Sequence, residues 1–266
     1  MLLVSGGRRV KNPRDENYWD MLVNTFCPTF ACLSVTIFVI LADLALFVTE
    51  VSLGLNKQGS LLEVGVDTLK RMGGNYGPSV ADGEVYRLVS AIFLHITFLH
   101  VIGNMFSTFI LLTRVEHTFG PVRTLIIYLL CGIGGNIFSL AVSSPNDYYN
   151  QIRAGASTSL YGLIGLLIGY LVLNWRGLDQ IGQQMKCNMV CGVVFMFIFV
   201  LIFTPYSTSI DYFGHLGGFL TGLWTPAFLE PLYNGQREKV IRGIYIALLV
   251  IQLAATFLGF YLGHPA

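Results

Sequence analysis

Apolar residues along this chain fall into long blocks separated by short polar stretches. The blocks run near Phe30–Thr49, Val89–Leu112, Val122–Val142, Ser157–Asn174, Asn188–Thr204, Ile210–Leu229 and Ile244–Leu262. Each is roughly 17–25 residues, the length that crosses about 30 Å of hydrocarbon as a helix. The pattern predicts an all-α polytopic membrane helical bundle: one domain of seven spans, with its termini on opposite sides. No internal repeat or low-complexity segment interrupts it. The first block is too long for a cleavable signal, holds Asp43 and has no small-residue cleavage pattern nearby.

Composition agrees: 54% of the 266 residues are hydrophobic and only 12% are charged, about half the charge of an ordinary soluble domain. Basic residues set the expected orientation. Arg8, Arg9, Lys11, Arg14, Arg114, Arg123, Arg176, Lys186, Arg237, Lys239 and Arg242 fall on one side, against Lys57, Lys70, Arg71, Arg87 and Arg153 on the other. That bias places the N-terminus in the cytosol. A net charge of +1 gives no reason to expect a nucleic-acid partner. Five cysteines do not form a disulfide framework. Cys131 reads as a small apolar residue inside a helix, Cys27 and Cys187 as weak palmitoylation candidates, and Cys187 with Cys191 lacks further zinc ligands.

Ionisable groups inside spans are costly and mark function or buried pairing. They are Asp43, His95, His100, Asp211 and His215, joined by the amides Asn104 and Asn136. Asp43 and Asn136 read best as interhelical glue, and His117 and His264 as surface residues. The others share a depth. With the N-terminus inside, spans two, four and six all run inward, and Ser157, His215, His95 and His100 sit within about 15 Å of the outer surface at 1.5 Å per residue. Gly165 and Gly169, and Gly214, Gly218 and Gly222, recur at four-residue spacing, which lets helix backbones approach closely in lipid. Such an approach would bring Ser157 within reach of His215.

That pairing supports nucleophilic chemistry. A serine needs a neighbouring base, and imidazole holds or releases a proton near neutral pH. Attack on a carbonyl also needs donors for the oxyanion. His100 and Asn104 lie four apart on one helix face, and the Ser157 amide, at a helix N-terminus, has no partner in the preceding turn. Tyr161, one turn after Ser157, is placed to pack on the His215 ring. Spacing alone also offers Asp211 as a third, orienting member. Ser159 is rotated about 200° from Ser157, so one of the two faces the site, and spacing does not say which.

These residues resemble the rhomboid family of intramembrane serine proteases. The resemblance rests on Gly155-Ala156-Ser157, on His95, His100 and Asn104 in "HITFLHVIGN", and on His215, Gly217 and Gly218 in "GHLGG". It extends to "VYRLVSAIFLH" and to "RVEHTFG" with Glu116 and Gly120. It implies Ser157 as nucleophile and His215 as base in a dyad, which returns Asp211 to a structural role. It implies His100 and Asn104 as oxyanion donors with Gly155 in the same loop, Tyr161 stacked on the histidine, and His95 bracing the first loop. It divides the chain into a cytosolic segment at 1–29, a six-span core at 30–230 and a seventh span at 231–266. That arrangement is similar to the secretory-pathway eukaryotic type, not the mitochondrial one. Thr158 and Tyr86 depart from the family's usual glycine and tryptophan, and neither removes a group the reaction needs.

The expected partners are single-span membrane proteins within the bilayer, cleaved near their outer end. The dyad calls for no metal or cofactor, and the chain has no His-Glu-x-x-His sequence for a metalloprotease. Two other classes fit less: a catalytically dead relative that binds membrane clients, and a channel, transporter or receptor. Arg153 is expected just outside the membrane with its charge hydrated.

Overall fold

The computed structural model describes residues 34–181, 210–229, 231–232 and 234–263, with positions 187, 190–192, 194 and 198. The segment 1–29, Cys27, Cys32, His264 and most of the fifth apolar block lie outside the described residues.

The first long helix, α1 (Val35–Leu53), starts where Ser34 Oγ accepts from the Ile37 amide at 3.1 Å. Its next free amides are met from elsewhere: the Glu116 carboxylate accepts from Val35 N, Thr36 N and Thr36 Oγ1 at 2.8–3.0 Å. A carboxylate is favoured there because helix N-termini carry unsatisfied donors and a positive dipole end. Three short helices follow in the first loop, α2 (Val66–Met72), α3 (Gly77–Ala81) and α4 (Arg87–Ser90). Arg87 is buried and holds the loop closed, donating to the carbonyls of Lys70 and Gly74 at 2.8 and 3.1 Å.

Helix α5 (Phe98–Phe119) ends at Gly120, whose φ of +82° suits glycine, and Pro121 opens α6 (Pro121–Val142) at once. A short α7 (Pro145–Asn150) precedes α8 (Ser157–Leu173) and α9 (Trp175–Ile181). Asp211 caps α10 (Tyr212–Trp224), accepting from Gly214 N at 2.9 Å, and α11 (Gln236–Gly263) closes the described chain.

Helices α1, α5, α6 and α11 are long and apolar enough to cross a membrane. Helix α8 is apolar but has 17 residues, about 25 Å at 1.5 Å per residue, shorter than the hydrocarbon. The architecture is the expected all-α polytopic bundle, and among the described residues the only β pairings are two isolated bridges. Its main core lies between α1, α5, α6 and α8, with Val39, Leu111, Leu112, Tyr128 and Leu163 all but sealed from solvent.

Helices α8 and α10 meet backbone to backbone. A Cβ added at Gly218 would strike the Thr158 carbonyl, one at Gly222 the Gly162 carbonyl, and one at Gly165 the Phe219 carbonyl. Each glycine costs a helix about 1 kcal/mol relative to alanine, and α10 holds four in its sequence YFGHLGGFLTGLW. This helix owes its form to its neighbours.

Several boundaries differ from the sequence reading. The second span begins at Phe98, not Val89, because residues 94–97 break the run as extended backbone between a 3-10 turn (Ala91–Phe93) and α5. The residues at 91–94 and 98–99 are apolar, so hydropathy passes over the break. The first span runs past Thr49 to Leu53, the sixth ends as helix at Trp224, and the seventh begins at Gln236. His117 is exposed, as expected, but stands in the last turn of α5, not in a loop. Asp43 is fully buried, and among the described residues its oxygens have no hydrogen-bond partner; the expected interhelical bond is not made.

Candidate active site

Ser157 is the first residue of α8, placed there by an extended approach. Residues around Arg153 pair with Asn75 through two backbone hydrogen bonds of 2.8 and 3.0 Å. The chain then turns at Gly155, where φ is +142° and the amide donates to the Ala91 carbonyl at 2.8 Å. A Cβ on Gly155 would stand 2.7 Å from the His100 ring, so glycine is needed both for the turn and for the imidazole beside it. His215 is in the first turn of α10 and is 8% exposed.

The two meet. Ser157 Oγ lies 2.8 Å from His215 Nε2, a hydrogen bond across two helices. With Nε2 as the unprotonated nitrogen, the hydroxyl donates to it, the polarity a general base requires. Tyr161 stacks on the imidazole at 4.2 Å between ring centroids and 13° between planes, which fixes the ring's tilt. Ser159, the alternative hydroxyl, is fully buried toward α6, where a Cβ on Gly132 would meet its Oγ. Ser157 is the serine that faces the cavity.

That cavity, about 510 Å³, is lined by Ser157, His215, His100, Asn104, Asn136 and Gly155 among others. His100 and Asn104 project from one face of α5. His100 Nε2 and Asn104 Nδ2 are the side-chain nitrogens nearest Gly155, and Asn104 Nδ2 has no protein hydrogen-bond partner among the described residues. Two donors and the first amides of α8 thus bound one small polar volume beside a hydroxyl paired with an imidazole. Such a volume can hold a carbonyl oxygen and stabilise negative charge on it.

The supporting residues are placed less as the sequence suggests. His95 does not line the cavity: it lies in the extended break, fully buried, with its ring 5.3 Å from that of His100. Its amide donates to both oxygens of Glu50, at 3.1 and 3.2 Å. Glu50 lies just past the end of the first apolar block, and α1 carries it one turn further into the fold. Asp211 is structural, as the resemblance implied: it accepts from Ser139 Oγ at 2.6 Å and caps α10. Arg153 is buried, not exposed as expected. It is 8% exposed, donates to Ser143 Oγ at 2.7 Å, and its Nε lies 3.7 Å from Asp211. Asn136 acts as the expected glue, donating to the Leu88 carbonyl at 2.9 Å while its own carbonyl accepts from Asn75 at 3.1 Å. Cys131 is buried as a small apolar residue, and Cys187 and Cys191 lie 3.9 Å apart and exposed.

Comparison with known proteins bears on the whole chain. A family model described as the Rhomboid domain matches residues 82–231. RHOMBOID-like protein 5 of Arabidopsis thaliana is 28% identical over 223 residues, which is 78% of this chain and 69% of that protein. Rhomboid-like protease 1 of Toxoplasma gondii is 32% identical over 195 residues, 73% of this chain and 63% of the relative. Rhomboid protease GluP of Bacillus subtilis (strain 168) is 32% identical over 239 residues, 90% of this chain but 42% of the relative. The chain therefore spans about two thirds of the first two relatives and under half of the third.

Proposed function

The chain belongs to the rhomboid family, and on that premise we propose that it is a serine endopeptidase that hydrolyses peptide bonds in or next to transmembrane segments. It is a multi-pass membrane protein with relatives named as proteases. The observation that carries the proposal is the 2.8 Å contact between Ser157 Oγ and His215 Nε2 inside a polar cavity.

The chemistry follows from the positions of the groups. Ser157 Oγ attacks the carbonyl carbon of a substrate peptide bond while His215 Nε2 takes its proton. Negative charge forms on the carbonyl oxygen, within reach of His100, Asn104 Nδ2 and the Ser157 amide. His215 returns the proton to the departing amine, leaving an acyl group on Ser157. Water then attacks the ester with His215 again as base, and the free serine is restored. Asp211 takes no part in this reading: its Oδ1 accepts from Ser139 and the Gly214 amide, and among the described residues it makes no hydrogen bond to the His215 ring. A substrate helix must unwind locally to present its peptide bond, so helix-breaking or small residues near the cut should favour cleavage.

In this reading residues 30–230 form the protease core and 231–266 add a seventh span, with 1–29 in the cytosol. The site opens toward the outer or lumenal side of a secretory-pathway or plasma membrane. The test is fluorophosphonate labelling in membranes of wild type, Ser157→Ala and His215→Ala, paired with cleavage of a reconstituted single-span substrate. Wild type should be labelled and active and both variants neither. Equal product from wild type and Ser157→Ala would sink the assignment; cleavage by neither, without labelling of wild type, would favour a client-binding relative.

A further inference from the structure

The seventh apolar block contains one amide, Gln252, in the middle of "IYIALLVIQLAATFLGFYLG". A primary amide in hydrocarbon must find partners or lose the solvation of its donors and acceptor. Here it finds three, all on α10. Gln252 Nε2 donates to the Gly217 carbonyl at 3.3 Å and to Thr221 Oγ1 at 3.0 Å. Its Oε1 accepts from Trp224 Nε1 at 3.1 Å. One side chain thus ties together three successive turns of the helix that begins with His215.

We infer that α11 is a brace for the dyad, and that Gln252 is a positioning residue for His215, which it does not touch. Helix α10 is rich in glycine and is held on its other sides by α8 and by α6, where Gly217 abuts Phe138. These glycine contacts are close but non-directional, and the directional bonds that tie α10 to its neighbours on those sides, Asp211 with Ser139 and His215 with Ser157, lie at its N-terminal end. The Gln252 clamp is directional, and it grips the carbonyl two residues beyond His215. Helix α11 also reaches the other half of the dyad, because Tyr245 Oη donates to the Gly169 carbonyl of α8 at 3.1 Å. Both dyad helices are therefore referenced to one strut, which resists relative motion of Ser157 and His215. The inference rests on the reading of His215 as the base.

Full-length wild type, Gln252→Leu and Trp224→Phe in phosphatidylcholine nanodiscs give two independent readouts. Amide hydrogen exchange over residues 212–224 reports the brace without reference to activity. It should speed up about tenfold in Gln252→Leu, with α5 and α6 unchanged, because local opening and global unfolding are separate equilibria. Turnover of a single-span substrate reports positioning: kcat should fall about tenfold with KM within about twofold, given that sub-ångström to ångström misplacement of a base costs up to about 100-fold. Trp224→Phe, which leaves the Gly217 bond in place, should move both readouts the same way but less. Unchanged exchange at 212–224 overturns the inference whatever the turnover, and faster exchange with unchanged kcat overturns its catalytic half. Exchange sped equally in every helix marks a general prop and overturns it as well. Should Gln252→Leu not fold, the absence of any local change in Trp224→Phe decides the matter. A wild type that is neither labelled nor active removes the protease reading, while exchange still decides the brace.

Discussion

On the α8–α10 wall of the cavity, glycines let one backbone lie against another, and no added carbon is accommodated at Gly218 or Gly222. On the α5 wall the same residue type does the opposite. Among the described residues Gly103 has nothing within 4 Å of where its Cβ would be, and Leu99, Ile102 and Phe106 beside it are 46–62% exposed. The first wall carries the dyad and the second carries His100 and Asn104. A nucleophile and its base need a fixed separation, so their helices are locked. In the proposed reaction the oxyanion donors must stay unbonded until charge forms, and His100 and Asn104 line the cavity together with Gly103, where there is free space.

Substitutions at equivalent-looking positions should therefore give unequal results. The largest effect is expected from Gly218→Val, which pushes a branched side chain into the Thr158 carbonyl. Labelling of Ser157 should vanish, and stability should fall by about 3 kcal/mol from overpacking, read by thermal unfolding and probe labelling. Next comes Asn104→Ala on the open wall. It should lower kcat by about 100-fold, the usual cost of losing an oxyanion donor, while the unfolding temperature stays put. If Asn104→Ala were as unstable as Gly218→Val, the division between a locked and an open wall would be wrong. Tyr161→Ala should cost less, about tenfold in kcat, by releasing the stacked imidazole from its tilt while leaving general base catalysis intact. Smallest of all is Gly103→Ala. Its methyl meets empty space, so stability should stay within about 0.5 kcal/mol, and any change should appear in KM. A destabilised Gly103→Ala would show that the α5 wall is packed after all.

The two walls also differ in how well they can be read from the chain. Four-residue glycine spacing on spans four and six foretold the close approach, and equal depth foretold that Ser157 and His215 share a layer. His100 and Asn104 were legible as an i, i+4 pair on one face. His95 was assigned the right neighbourhood but the wrong element, because an extended break flanked by apolar residues looks like continuous helix in any hydropathy window. The burial of Arg153 and Glu50 is not legible in the sequence for one reason: a charge near the edge of an apolar block reads as facing water. In the fold each is buried beside polar groups that the local sequence does not point to, Ser143 and Asp211 for the arginine and the His95 amide for the glutamate. In the sequence Gln252 is simply an amide in an apolar run, and nothing in that run says which helix it grips.

Periodicity and composition by themselves determined that the chain crosses a membrane several times as helix, since twenty apolar residues have few other stable states in water or lipid. They also determined which side chains have the chemistry for acyl transfer. Tertiary structure alone decided which serine faces the base, that Asp211 serves as a cap, that Arg153 is buried, and that the last helix is tied to the histidine's helix. Those outcomes depend on distances between residues far apart in the chain, and a sequence carries the identity of such groups but not their separation.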